Sequence, residues 1–315
     1  MSAVTLDDFC LHLVDDDPPN ERLHPTGAAR EFVSFFGLSP FPHMDETESL
    51  LKRADIATVV RSHDMGGFRG YHTGTNIGSY QIVIDATDGI VAQEHTVLHE
   101  TYEIVKERLG DLYTDIGVPQ GRSMCRQADR FAAAVLMQPY WFSQFAASSG
   151  LDVIALQKAY GRAYSSVILR LAEVMRDQPL IAVLYERGEA REPYFRTTAP
   201  VAHFRSTVVA RTPGFGARHS RALCGTRGGV PRWGRPLPPG SLAEGVALTG
   251  KPSFVERAPG LGDVAVAARP VFRQGRLERI VVVAVPYNDR SVLLRQTADP
   301  SFESARRRAV AAGPW

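Results

Sequence analysis

Residues 93 to 109 read Gln-Glu-His-Thr-Val-Leu-His-Glu-Thr-Tyr-Glu-Ile-Val-Lys-Glu-Arg-Leu, and the reading of the whole chain turns on them. Val97, Leu98, Ile104, Val105 and Leu109 recur every three or four residues, the helical period, and no Gly or Pro occurs from Val91 to Arg108. Residues four apart on a helix stand one above the other, so His99 and Glu103 can bring a ring nitrogen and a carboxylate to one cation. Glu100 points about a quarter turn away and is placed to act on a water beside that cation. His95 and His99 form a second pair of the same spacing. His95 and Glu103 are about 12 Å apart along the axis at roughly 1.5 Å per residue, so the three cannot share one ion. Taken alone, His-Glu-x-x-Glu is also what a solvated helix face of ordinary charged residues looks like.

A second stretch bears on that choice. After Gly110 and the loop residues Gly-Val-Pro-Gln-Gly at 117 to 121, a helix runs Cys125-Arg126-Gln127-Ala128-Asp129-Arg130-Phe131-Ala132-Ala133-Ala134-Val135-Leu136-Met137, ending before Pro139. A His-Glu-x-x-His-like helix followed by one ending Ala-Asp-x-Phe-Ala-Ala-x-Leu-Met resembles the ImmA/IrrE-type metallopeptidases, whose first helix carries the zincin motif. Residues 25 to 140 follow that family in element order as well as motif. The resemblance implies a zinc site, with manganese as the alternative ion, in which His99 is the first ligand and Glu100 the general base. Glu103 stands where the family has its second histidine and Cys125 where it has a glutamate. A carboxylate and a thiolate both bind zinc, but the set His99, Glu103 and Cys125 carries one more negative charge than the family's and makes the metal a weaker Lewis acid. Asp129 occupies the family's Asn position, which implies a structural hydrogen bond, and is a fallback oxygen ligand. Tyr102 is a candidate donor to a tetrahedral intermediate, and His63 and His72 fall in a strand region that could border a substrate groove.

The rest of the chain sets the frame. At 315 residues it suggests two domains, each large enough for its own core. Cys10, Cys125 and Cys224 are odd in number and far apart, which indicates neither a disulfide framework nor a cysteine-rich zinc knuckle. No apolar run is long enough to span a bilayer and the start lacks a basic region followed by an apolar one, so the expectation is a cytoplasmic protein without a membrane partner. Residues 201 to 315 hold 18 Lys and Arg against 7 Asp and Glu, whereas residues 1 to 200 hold 18 against 27. A net of +11 behind and −9 in front marks a boundary near residue 200 and an anionic ligand or surface for the C-terminal part.

In order along the chain, the pattern predicts a helix over Gly27 to Phe36 stopped by Gly37, and a second one N-capped by Asp45 with Glu48 in a near capping box. Strands follow at Ala57 to Arg61, Phe68 to His72 and Tyr80 to Asp85. Leu151 to Leu171 gives two short helices broken at Gly161. They resemble the helix-turn-helix segment that follows the peptidase in the same family. Only Lys158, Arg162 and Arg170 are basic near Ser165 and Ser166, so a structural pair is favoured over direct DNA binding. Leu180 to Tyr185 and Ser206 to Ala210 are apolar runs. Gly240 to Pro252, with strands at Val264 to Phe272 and Leu277 to Val285 about a Gln-Gly-Arg turn, resembles a GAF-type sensor domain.

The fold class expected is therefore α+β. A zincin-like minimal metallopeptidase domain spans 20 to 145, a helix-turn-helix-like helical segment 146 to 178, and a basic GAF-like α/β sensor domain 179 to 315. The family resemblance implies an endopeptidase whose substrate is a helix-turn-helix transcriptional repressor, in a stress or mobile-element response. The competing expectation is a non-catalytic regulator that keeps a degenerate peptidase scaffold and senses a signal through its C-terminal domain.

Overall fold

The computed structural model describes residues 4–15, 19–75, 79–114, 116–118, 120–188, 204–215, 234–255 and 264–297. It is a mixed α+β protein with two sheets, dividing into two compact units between Pro139 and Tyr140. Among the described residues no helix is long and apolar enough to cross a membrane.

The first unit begins with α1 (Leu6–Val14), whose Thr5 and Asp8 close a reciprocal capping box. After the short α2 (Pro19–Leu23), α3 (Pro25–Phe36) starts on a proline and ends at Gly37, whose φ of 68° is the left-handed turn that a side chain resists. Phe9 of α1 meets Phe32, Phe35 and Phe36 of α3 at ring separations of 5.3 to 5.5 Å. Next, α4 (Met44–Arg53) leads to a three-stranded sheet of β1 (Ala57–Ser62), β2 (Gly70–Gly74) and β3 (Tyr80–Asp85), in the order β1-β3-β2. β3 is central, parallel to β1 and antiparallel to β2. Its Ile82 and Ile84 enter the core with Val97, Leu98, Ile104, Val105 and Leu109 of α5 (Ile90–Leu112), which bury completely, as their spacing predicts. α6 (Arg122–Leu136) adds Ala128, Phe131, Ala132 and Val135. Alanine at 128 and 132 lets the two helices approach, while Phe131 and Tyr102 stack at 5.0 Å between them.

Three expectations are corrected here. Asp45 is not the N-cap of α4: the helix starts two residues earlier, after His43, and the buried Glu94 carboxylate accepts from Met44 N at 2.9 Å. A long-range carboxylate thus replaces the local cap. The second strand runs from Gly70 rather than Phe68, because Phe68 N closes a turn onto Met65 O at 2.9 Å. Gly110 does not end α5, which continues to Leu112. A Cβ there would lie 2.6 Å from Val118 Cγ2, so the glycine admits the returning loop instead of breaking the helix.

In the second unit, α7 (Pro139–Ser148), α8 (Val153–Tyr160) and α9 (Tyr164–Val174) precede a five-stranded antiparallel sheet. Gly161, at φ 64°, separates α8 from α9 where the pattern broke. The sheet order is β5-β4-β8-β7-β6, from β4 (Ile181–Arg187), β5 (Phe204–Arg211), β6 (Ser253–Val255), β7 (Val264–Arg273) and β8 (Arg276–Pro286). Gln274 and Gly275 both have positive φ, the geometry of a two-residue hairpin turn. Before β6 lies α10 (Leu242–Thr249), capped by Ser241 and Gly250, and Val246 of α10 packs with Ile181, Val183, Val266 and Val282. Ala182, Leu184, Val281 and Val283 on the alternate positions are buried too, which is why these strands read as unbroken apolar runs. A short 3-10 helix (Tyr287–Thr297) follows β8.

Candidate metal centre

α5 and α6 carry the chemistry. The apolar face of α5 is pinned in the core, and this turns His95, His99 and Glu103 toward α6 on successive turns. From α6, Cys125 and Asp129 stand one turn apart; Cys125 is exposed, whereas Cys10 is buried. Burial pushes the Cys10 thiol up to about 12, which leaves it protonated and inert. Cys224 and the arginine-rich 216–233 and 298–315 lie outside the described residues.

Among the described residues, three groups have ligand atoms within 4.8 Å of one another: His99, Glu103 and Cys125; His95, His99 and Asp129; and His72, Glu100 and Glu103. Ligands about 2.0 to 2.3 Å from a tetrahedral zinc stand roughly 3.3 to 3.8 Å apart, so small side-chain rotations bring the first group to that spacing. Its nitrogen, oxygen and sulfur donors fit zinc. His99 is the hinge of the arrangement. Its Nδ1 is 3.0 Å from Asp129 Oδ1 and its Nε2 is 3.3 Å from Glu103 Oε1. Burial opposes the charged ring, but the hydrogen bonds to the two carboxylates outweigh it and raise the pKa to about 10. At neutral pH the ring is therefore held protonated on both nitrogens, and a metal ion taken there would have to displace one of the two protons.

Glu100 faces the sheet side of α5. His72 of β2 meets it, with Nδ1 2.8 Å from Glu100 Oε2 and Nε2 3.0 Å from Glu107 Oε1. Glu103 Oε2 lies 4.0 Å from the same ring, which links Glu100 to the first ligand group. Burial again opposes the charge on His72, and the bonds to Glu100 and Glu107 prevail, raising it to about 8. Gly70, next but one along β2, makes this approach feasible: a Cβ there would fall 2.3 Å from Thr96 Cγ2 and 3.6 Å from Glu100 Oε1.

Tyr102 is fully buried and donates to Gln127 Oε1 at 2.9 Å, which makes it a packing residue between the helices rather than a donor in the cleft. His63 is exposed and sits apart from all three groups. The sequence pattern places His72 in a strand that could border a substrate groove and does not single out its pairing with Glu100 or Glu107. Glu107 had a signal, since 100, 103 and 107 follow one helical stripe. The role of His72 depended on which face of β2 meets α5, and that is set by pairing register.

No family model matches the sequence, and no curated protein matches it. Among solved structures, the chain is similar to a Mycobacterium tuberculosis transcriptional regulator, with a TM-score of 0.53 and 12% identity over 96% of this chain and 86% of that one. At that identity the likeness is one of fold.

Proposed function

We propose that this chain is a zinc-dependent endopeptidase, with manganese as the alternative ion, that cuts a protein partner in the cytoplasm: a helix-turn-helix transcriptional repressor, in a stress or mobile-element response. The observation that carries the reading is the meeting of His99 and Glu103 of α5 with Cys125 of α6, with Glu100 on the adjoining face. Three protein ligands leave a fourth position for water or substrate. When bound, the ion supplies Lewis-acid polarisation of the scissile carbonyl and makes water more acidic. The side chains divide the remaining work. His99, Glu103 and Cys125 would hold the ion, and Asp129 orients His99 by accepting from Nδ1. Glu100 takes the proton of the attacking water and returns it to the leaving amine. His72 occupies Glu100 Oε2 and leaves Oε1 as the oxygen that carries the proton.

Glu100→Gln is expected to retain metal and lose cleavage of the repressor, and His99→Ala to lose both. If Glu100→Gln matches the wild type in signalling and no product forms with zinc or manganese, catalysis is refuted. A second reading, a non-catalytic regulator on a degenerate zincin-like scaffold, is favoured by the burial of Glu100 in its pair with His72 and by the doubly negative ligand set. Likeness in fold to a protein named as a transcriptional regulator is in keeping with it. In either reading the C-terminal unit is a GAF-like sensor for an anionic small molecule, supported by its five-stranded sheet with α10 and by exposed Arg211, Arg273 and Arg276. The helix pair α8 and α9 is structural, and direct DNA binding is not part of the proposal.

A further inference from the structure

We infer that α5 and α6 offer a second cation position, formed by His95, His99 and Asp129, which takes a borderline transition-metal dication and competes with the Glu103 and Cys125 position for the single His99 ring. The inference rests on the reading of this helix pair as a metal centre. His95 and His99 are one helical turn apart with ring centroids 6.3 Å apart, and Asp129 reaches both, 3.9 Å from His95 Nε2 and 3.0 Å from His99 Nδ1. All three ligand atoms lie within 4.8 Å of one another, as do those of the group containing Cys125. Two imidazoles with one carboxylate are a donor set that zinc and cobalt accept, and it carries one negative charge rather than two.

The two positions share one side chain. His99 turns Nδ1 to Asp129 and Nε2 to Glu103, so an ion on either nitrogen leaves the opposite N–H donating to the other carboxylate. Such a carboxylate–histidine–metal relay fixes the tautomer and strengthens the ligand. Each position therefore supplies the supporting carboxylate of the other, and occupying both at once would require one ring to lose both protons. The softer thiolate favours zinc or cobalt at Glu103 and Cys125, and the histidine pair takes the ion when that position is disabled.

The test is titration of the full chain, stripped with a chelator and kept reduced, with cobalt(II). Calorimetry gives the stoichiometry, and near-ultraviolet thiolate-to-cobalt charge transfer reports Cys125. Wild type should bind one equivalent with that band. Glu103→Gln/Cys125→Ser should lose the band and still bind one equivalent, and adding His95→Ala/Asp129→Asn should abolish the remainder. Circular dichroism confirms that each variant is folded. No binding by Glu103→Gln/Cys125→Ser while wild type binds, or residual binding that survives the loss of His95 and Asp129, overturns the inference alone. Wild type that binds no cobalt removes the metal centre and this second position with it.

Discussion

Replacing His72 by Gln should destabilise the metal-free first unit by about 2 kcal/mol, and the size follows from the geometry. The pair with Glu100 is largely shielded, with side-chain exposures of 10% and 9%, and Glu107, half exposed, adds a share that solvent screens. A rise from the ordinary 6.5 to about 8 is worth about 2 kcal/mol at about 1.4 kcal/mol per pKa unit. This agrees with about 1.5 to 3 kcal/mol for a hydrogen bond to a charged group. The sign fixes the pH dependence. Because the folded-state pKa lies above the unfolded one, the stabilisation is complete below pH 6.5 and is lost as pH rises through 8. The assay is urea unfolding of wild type, His72→Gln, Glu100→Gln and the double variant, with a chelator present, at pH 6 and pH 9. The coupling energy of the cycle should be about 1 to 2 kcal/mol at the lower pH, Glu107 carrying the rest of the shift, and smaller at the higher one. A coupling below about 0.5 kcal/mol at pH 6, or one that grows with pH, refutes the assignment of an imidazolium to His72.

Gly110→Ala should forfeit the roughly 0.5 to 1 kcal/mol that alanine ordinarily gains in a helix, because its Cβ meets Val118; Gly110→Ala/Val118→Ala should restore that propensity gain relative to Val118→Ala in urea midpoints. Peptide-resolved alkylation should modify exposed Cys125 readily and buried Cys10 hardly at all, with zinc suppressing the reaction at Cys125; equal rates with and without zinc would detach Cys125 from the metal. Asp152 caps α8 by accepting from Ile154 N at 2.9 Å and Ala155 N at 3.3 Å, and it also pairs with Arg269 of β7. Asp152→Ala should therefore cost about 2 kcal/mol or more and Asp152→Asn less, since Asn keeps the cap; equal losses in thermal unfolding would deny the cap its share.

What could be read in the sequence, and what could not, separates by the range of the interaction. Residues whose partners lie within a turn or a strand were legible: the five apolar positions of α5 are buried, Gly37 and Gly161 stop their helices, and the Gln274–Gly275 hairpin falls where the turn residues sit. Misreadings occur where a distant group substitutes for a local one. Glu94, fifty residues away, does for Met44 what a capping Asp45 would have done. Val118 explains a glycine that looks like a helix stop from the sequence alone. The same division runs through the site. The i, i+4 stripe of α5 gave His95, His99 and Glu103, but nothing local says which nitrogen of His99 faces which carboxylate. That depends on α6 bringing Asp129 to Nδ1 of the ring, while Glu103 of α5 itself stands at Nε2. It follows that a five-residue metal motif underdetermines its own site. With the second helix in place, the ring of His99 has a carboxylate at each nitrogen, and on the proposed reading as a metal centre the choice of ion position would pass from the motif to the competition between Cys125 and His95.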